Sequence, residues 1–352
     1  MPTGTASTER VRYDAVKLRF GTGTTVKNFA AYREWLRVAE GSGFELLTTG
    51  DSQSLWADPF VSMTFAAANT VAPRLAITVS NPVTRHPAVV ASSVVAIQDV
   101  AKGRFCLGLS SGDSALRNIG ERPATLVELE AFVETVRAMT LNESVTWNGH
   151  EQALRWGSAR VPIWIAAEGP RTLQLAGRIA DGVVLSNSLT TEAIDRAFTH
   201  IRAGAEASGR SMDDIEIWWM VNVVPAETER AGIDSIRSVL AGTANHVYRF
   251  TLEGKGLPPE RVAAIEELKQ TYDSRHHANP ATASVNAELV DRLGLTDWLA
   301  AQSTIAGPIE HCVERLHEVA ERGVRNVILA QFVAEPLAFM RIFDERIRSE
   351  FS

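Results

Sequence analysis

The sequence predicts a (β/α)8 barrel, and three observations predict it. Short apolar runs alternate with longer amphipathic stretches, eight of those runs read as strands, and proline and glycine punctuate the helix ends. The strand candidates are Val11–Phe20, Glu45–Thr49, Leu75–Val79, Phe105–Leu109, Val161–Ala166, Gly182–Ser186, Ile215–Val224 and Asn326–Ala330. Several are nearly continuous in β-branched and other apolar residues, as strands covered on both faces are. Helical patterns lie between them at Phe29–Ser42, Pro59–Ala72, Pro87–Val100 and Leu126–Leu141. Such alternation implies parallel strands joined by crossover helices.

Helix starts carry a consistent signal. Proline follows Asp58, His86, Gly169, Gly307 and Glu335, at a first helical position where its missing N–H costs nothing. Asp58 is also a good N-cap. Helix ends are marked by Gly41 and Gly43, by Lys102-Gly103 and by Arg322-Gly323. A doubly wound open sheet is the competing architecture. Its fingerprint after the first strand is missing, because Phe20-Gly21-Thr22-Gly23-Thr24-Thr25 lacks the third glycine. The rhythm breaks once, between Pro225 and Arg325. That stretch holds Gly254-Lys255-Gly256-Leu257-Pro258-Pro259 and the polar run Thr271–Ala287. A segment that long between two barrel strands is usually functional. The expectation is one barrel domain over 1–352, with an insertion at about 244–302 covering the barrel mouth; a peripheral helical subdomain or a dimer contact is the alternative.

The totals narrow the function classes. The chain has 352 residues, 45% hydrophobic and 22% charged, enough to bury a core without disulfides. Cys106 and Cys312 are the two cysteines, too far apart for a CxxC site. The net charge of -7 disfavours nucleic acid and anionic membrane as partners. Apolar runs fall short of the roughly 20 residues that span a bilayer. The first ten residues lack the apolar core of a signal peptide, so the chain reads as a soluble cytoplasmic protein. His276-His277, His150, His246 and His311 lack metal-ligand spacing.

In a barrel the chemistry sits at the C-terminal strand ends. After strand 2, Asp51 stands at the mouth, where a carboxylate could fix a polar ring edge or move a proton; a turn-forming Asp is the bland alternative. Ser52 follows it, and Trp56 offers an apolar wall with one N–H donor, although packing would also explain it. After strand 3 come Ser80-Asn81-Pro82-Val83-Thr84-Arg85-His86, with Asn81 biased away from helix by Pro82. His86 suits a capping role better than catalysis. After strand 4, Ser110, Ser111 and Gly112 let a ligand approach the backbone. Asp113 is a second mouth carboxylate and a possible proton donor, or else a solvated loop residue. After strand 5, Ala167-Glu168-Gly169-Pro170-Arg171-Thr172 runs into a helix whose first N–H groups, with Arg171 and Thr172, form a phosphate site. Glu168 should turn away from that phosphate. Ser186 and Asn187 could add contacts after strand 6. With no metal and no nucleophile motif, a phosphorylated organic cofactor is the inference.

These residues carry a likeness. Asp51–Trp56 with Asp58-Pro59-Phe60, Asn81–Pro87, Gly103-Arg104-Phe105, Gly108–Asp113, and Glu168–Thr172 with Ala180-Asp181-Gly182 together resemble the bacterial luciferase-like superfamily. The nearest branch is the methylene-tetrahydromethanopterin reductase-like, deazaflavin-dependent group. The resemblance runs from strand 1 to Phe332 and is weakest in the strand 7–8 segment. It implies a TIM barrel, usually dimeric, that binds coenzyme F420 or FMN with the ring at the mouth. It also implies a non-proline cis peptide at the end of strand 3, here Thr78–Val79. Asp51 and Asn81 match positions that contact the ring, and Gly169–Thr172 match the phosphate site. Ser110, Gly112, Ala167 and Glu168 complete the candidate cofactor set. Asp113 matches an acidic position beside the substrate in sugar-phosphate dehydrogenase relatives. Those relatives carry a histidine where this chain has Ser52, which argues against a sugar phosphate as substrate.

Three functions follow as expectations. The first is hydride transfer between F420 and a small organic substrate, with Asp113, Ser52 and Trp56 as the catalytic candidates. The second is a monooxygenase fed with FMNH2 by a separate reductase. The third is a non-catalytic flavin-binding protein. The Gly-Pro-Arg-Thr turn favours the deazaflavin branch. Trp56, Tyr248 and Phe250 suggest an apolar or aromatic substrate, or else packing, while Arg249 and Lys255 could meet an anionic one or the acidic tail of F420, or else be solvated surface charges.

Overall fold

A computed structural model describes residues 17–186, 188–273, 283–330 and 335–351. Among them are eleven strands: β1 (Arg19–Gly23), β2 (Leu46–Thr49), β3 (Arg74–Ser80), β4 (Phe105–Leu109), β5 (Val145–Trp147), β6 (His150–Gln152), β7 (Ile163–Ala166), β8 (Gly182–Leu185), β9 (Glu216–Pro225), β10 (Thr304–Gly307) and β11 (Asn326–Ala330). Eight of them, β1-β2-β3-β4-β7-β8-β9-β11, pair in parallel, and β11 returns to β1. The predicted (β/α)8 barrel is the observed fold.

Alternation along the strands sorts the core into two layers. Leu46, Ala76, Cys106, Trp164, Val184, Trp218 and Ile328, each from a different barrel strand, cluster inside the barrel. Their neighbours Leu47, Leu75, Leu107, Ile163, Val183 and Val327 pack outward against the helices. Arg19 and Arg74, first residues of β1 and β3, share Glu216 of β9 at 2.9 and 2.6 Å. Their guanidinium groups lie over Trp218 and Trp164. This charged cluster lies at the N-terminal end of the barrel, opposite the strand ends that carry sites in such barrels.

Helix starts follow the proline signal. Helices Pro59–Asn69, Pro87–Val100, Pro170–Ile179 and Pro336–Arg346 each begin on their proline. Asp58 caps the first through N–H groups of Phe60 and Val61, at 2.8 and 3.2 Å. His86 caps the second, its Nδ1 accepting from Ala88 at 3.2 Å. Pro308 differs, serving as the N-cap of Ile309–Glu321.

Strand 1 is a correction. It runs over Arg19–Gly23, whereas the expected range began at Val11, and residues 11–16 lie outside those described. Gly21 and Gly23, read as a loop after the strand, are part of it. A Cβ on Gly21 would lie 3.0 Å from Leu46 Cβ, and one on Gly23 would lie 2.3 Å from Thr48 Oγ1. The glycines let β1 and β2 approach. The β5–β6 hairpin was not expected either; Asn148 and Gly149, at φ 50° and 78°, make its turn.

Between β9 and β11 the chain forms helices Glu229–Ser235, Arg237–Tyr248, Val262–Thr271, Ala283–Arg292 and Thr296–Ser303, then β10, which pairs with the end of β9. Ile236, Leu240, Ile265, Leu268, Val290 and Leu295 give them a small core of their own, which also takes in Val224 and Ala306. No helix among the described residues is long and apolar enough to cross a membrane.

Candidate active site

A cleft of about 790 Å³ opens at the C-terminal ends of β4 and β7. That volume accommodates a ring-bearing cofactor or substrate. One wall is Ser110–Gly112 with Pro123–Val127, the turn that starts helix Leu126–Thr140. The floor is Ala166 and the turn Glu168–Thr172, and the far wall is His246, Arg249–Thr251 and Glu253–Lys255 from the segment after β9.

Helix Pro170–Ile179 begins at Gly169 with no side-chain cap. Pro170 has no N–H, so Arg171 and Thr172 bring the first amide donors of the helix to the cleft, where a helix start favours an anion. Glu168 is turned toward β8: its Oε1 accepts from Ser186 N–H at 3.1 Å and from Ser186 Oγ at 2.5 Å, as the expectation of a side chain drawn from the anion requires. Its Oε2 is buried without a partner, and the residue still lines the cleft. Gly112 is at φ +102°, and a Cβ there would meet Leu116 Cδ1 at 2.4 Å. Only glycine suits that position.

Asp51 stands at the end of β2 with its carboxylate enclosed. Oδ2 accepts from Ser80 Oγ at 2.6 Å and Arg85 Nη1 at 2.7 Å, while Oδ1 is buried with no partner. Arg85 also reaches Asp58 Oδ2 at 2.6 Å and lies over the Phe60 ring. The Thr78–Val79 peptide is cis, at the position the resemblance implies.

Several candidates are otherwise engaged. The Trp56 N–H, expected to serve a ligand, donates to Gly50 O at 3.1 Å. Ser52 is fully buried and its hydroxyl accepts from Ser114 Oγ at 3.0 Å, away from the cleft walls. Asn81 Oδ1 takes the N–H groups of Val83 and Thr84, so its oxygen builds the turn before Pro87. Ala167 is buried, its N–H given to Val184 O. Tyr248 is buried against Trp298 in the small core, whereas Phe250 lies exposed at the cleft beneath Arg249. Asn187 and His276-His277 lie outside the described residues.

Asp113 corrects an expectation. Arg249 lies 2.9 Å from its Oδ2, His246 Nδ1 3.5 Å from the same oxygen, and Arg117 2.8 Å from Oδ1. Burial would raise its pKa, but the guanidinium groups of Arg249 and Arg117 beside it hold the carboxyl well below the usual range. It is an acceptor at neutral pH and not the proton donor. Because the folded pKa lies below the unfolded value of about 3.9, the stability it contributes is full above that pH and disappears on acidification. Asp113→Asn is expected to lower stability at pH 7 by about 1.5–3 kcal/mol. Urea unfolding should show that difference shrinking as the pH falls below 4.

Sequence reasoning weighed His246, Arg249 and Lys255 only in passing. Arg249 is largely buried, not a solvated surface charge. Lys255 donates to Val247 O, and its Cε lies 3.7 Å from where a Cβ on Gly169 would be. Burial pulls its pKa down, with Glu168 opposing. Nothing local in the sequence pairs these residues with the turn after β7.

A family model described as luciferase-like monooxygenase matches residues 14–326. The chain is 26% identical over 311 residues to a 5,10-methylenetetrahydromethanopterin reductase of Methanolobus tindarius, covering 84% of this chain and 88% of the relative. It is 28% identical over 362 residues to an F420-dependent glucose-6-phosphate dehydrogenase of Beutenbergia cavernae, covering 94% and 96%. Its fold superposes on the coenzyme F420 dependent tetrahydromethanopterin reductase of Methanopyrus kandleri with a TM-score of 0.77 at 20% identity, covering 96% of this chain and all of the other.

Proposed function

The chain belongs to the luciferase-like monooxygenase family, and from that premise we propose that it is an oxidoreductase using coenzyme F420 to move hydride to or from a small organic substrate. The observation that carries this reading is the uncapped turn Gly169–Thr172 opening on the cleft, in a chain similar to F420-dependent relatives over most of its length.

The residues present fit such a group. Arg171 and Thr172 would hold its phosphate, and Gly112 and Ser110 leave room beside the backbone. Asp51, with Oδ1 unpaired, would accept from a polar N–H. When bound, a reduced deazaflavin supplies a hydride; the protein supplies orientation and electrostatics. Arg249, Lys255 and His246 on the far wall favour an acceptor-rich substrate. Ser52, buried where sugar-phosphate dehydrogenase relatives have histidine, supports a substrate other than a sugar phosphate.

The same reading treats 1–352 as one barrel domain whose 244–302 segment covers the mouth. It also makes the protein a homodimer. Light scattering should give twice the chain mass.

Fluorescence titration tests the cofactor. F420 is expected to bind the purified protein more tightly than FMN, and Arg171→Ala to weaken it tenfold or more, on the order of one charged hydrogen bond. No binding of F420, or substrate-dependent oxygen uptake with FMNH2, would replace this reading with the monooxygenase one.

A further inference from the structure

His246 is the titratable side chain of the cleft whose proton the geometry locates. Three charged groups surround its ring: Asp113 Oδ2 at 3.5 Å from Nδ1, Glu168 Oε1 at 3.9 Å from Nε2, and Arg249 Nη1 at 2.5 Å from Nδ1. A guanidinium has only N–H donors, so a ring nitrogen in contact with it must offer its lone pair. Nδ1 is therefore unprotonated, and the single ring proton sits on Nε2. Asp113 Oδ2, 3.5 Å from Nδ1, is bound at 2.9 Å by the same Arg249 Nη1, so the guanidinium sits as donor to both acceptors. Glu168 Oε1 lies beyond hydrogen-bond distance of Nε2 and is already taken by Ser186. Among the described residues Nε2–H has no acceptor in reach, and His246 lines the cleft opposite the turn after β7.

We propose that His246 is a catalytic hydrogen-bond donor: a neutral imidazole, held as the Nε2–H tautomer by Arg249, that binds the oxygen of a carbonyl substrate while hydride reaches its carbon. This rests on the F420-dependent reading of the cleft. In the reducing direction the carbonyl carbon gains a C–H bond from the hydride of a reduced deazaflavin. The C=O π pair moves onto oxygen, which Nε2–H stabilises and which then takes a proton from water. Ketone, hydride and proton give the alcohol, and the deazaflavin is left oxidised by two electrons. A neutral imidazole can polarise a carbonyl in this way without first being protonated, and a donor aimed at developing negative charge is an effective catalytic device. Arg249, which touches His246 and not the reacting atoms, is the positioning residue.

The test uses the full chain labelled with ¹⁵N-histidine, with and without F420, read by long-range ¹H–¹⁵N correlation; His246→Gln assigns the signal. The expected pattern is an unprotonated Nδ1 and a protonated Nε2 at pH 7, lost to a mixture of tautomers in Arg249→Met. Acetone, added to the F420-loaded protein as a carbonyl probe, is expected to shift the His246 Nε2 resonance. An Nδ1–H tautomer in the unsubstituted protein overturns the proposal, and that result does not depend on whether Arg249→Met folds. No response to acetone overturns the substrate-facing role. Failure of F420 to bind is a separate outcome: it removes the cofactor reading while the tautomer result stands.

Discussion

Replacing Arg85 by Met is expected to destabilise the fold by about 3–5 kcal/mol, the cost of leaving a buried carboxylate without its cation. Among the described residues Arg85 is the one guanidinium that reaches Asp51, whose side chain is 0% exposed. Without it, Asp51 Oδ2 keeps a single partner, the Ser80 hydroxyl, and Oδ1 still has none. Asp58 loses its second contact as well, although its Oδ1 continues to cap helix Pro59–Asn69. Arg85→Lys should recover only part of the loss, because one ammonium cannot reproduce a fork that spans Asp51 and Asp58. The control is a double-mutant cycle: adding Asp51→Asn to Arg85→Met should restore most of the lost stability, since the unpaired charge is then gone. Urea midpoints with unchanged slopes measure this. Equal losses in single and double variants would show that Arg85 acts by packing on Phe60 instead.

Gly177→Ala and Gly204→Ala are expected to be comparably severe, near or above the upper end of the roughly 1–3 kcal/mol usual for overpacking. The two glycines lie where helix Pro170–Ile179 crosses helix Thr191–Ala207. A Cβ on Gly177 would be 2.1 Å from Ile201 O, and one on Gly204 would be 2.0 Å from Gln174 O. The obstacle is backbone in both cases, so no side-chain rotation relieves it and the helices must separate. Helix Pro170–Ile179 carries the anion-binding turn at its start, so the shift should reach function. F420 affinity is expected to fall in both variants, whereas Gly41→Ala, where a Cβ meets nothing within 4 Å, should change neither stability nor binding. Thermal unfolding and fluorescence titration on the same samples check both parts.

The barrel was legible because two independent signals agree. Continuous apolar runs such as Phe105–Leu109, buried throughout, mark strands covered on both sides, and Pro59, Pro87 and Pro170 mark where the return helices start. Strand 1 was misplaced because Gly21 and Gly23 look like loop residues until one sees that β2 presses against them. Helices of the segment after β9 were illegible because they bury a small core, and a short apolar face gives a weak period. For the site, strand ends pointed to Asp51 and to the turn Glu168–Thr172, which do stand at the barrel mouth. Sequence cannot tell a side chain free for a ligand from one spent on its own loop, and that is how Ser52, Trp56 and Asn81 came to be nominated. The Asn81-Pro82 pair carried a usable turn signal. His246 and Arg249 lie more than a hundred residues beyond Asp113, and only the folded segment brings them to it.

Crystallography of the protein with F420 tests the central claim most directly. The ring is expected in the cleft at the ends of β4 and β7, with its phosphate on the N–H groups of Arg171 and Thr172. A phosphate bound elsewhere on the barrel, with that turn left to solvent, would contradict it.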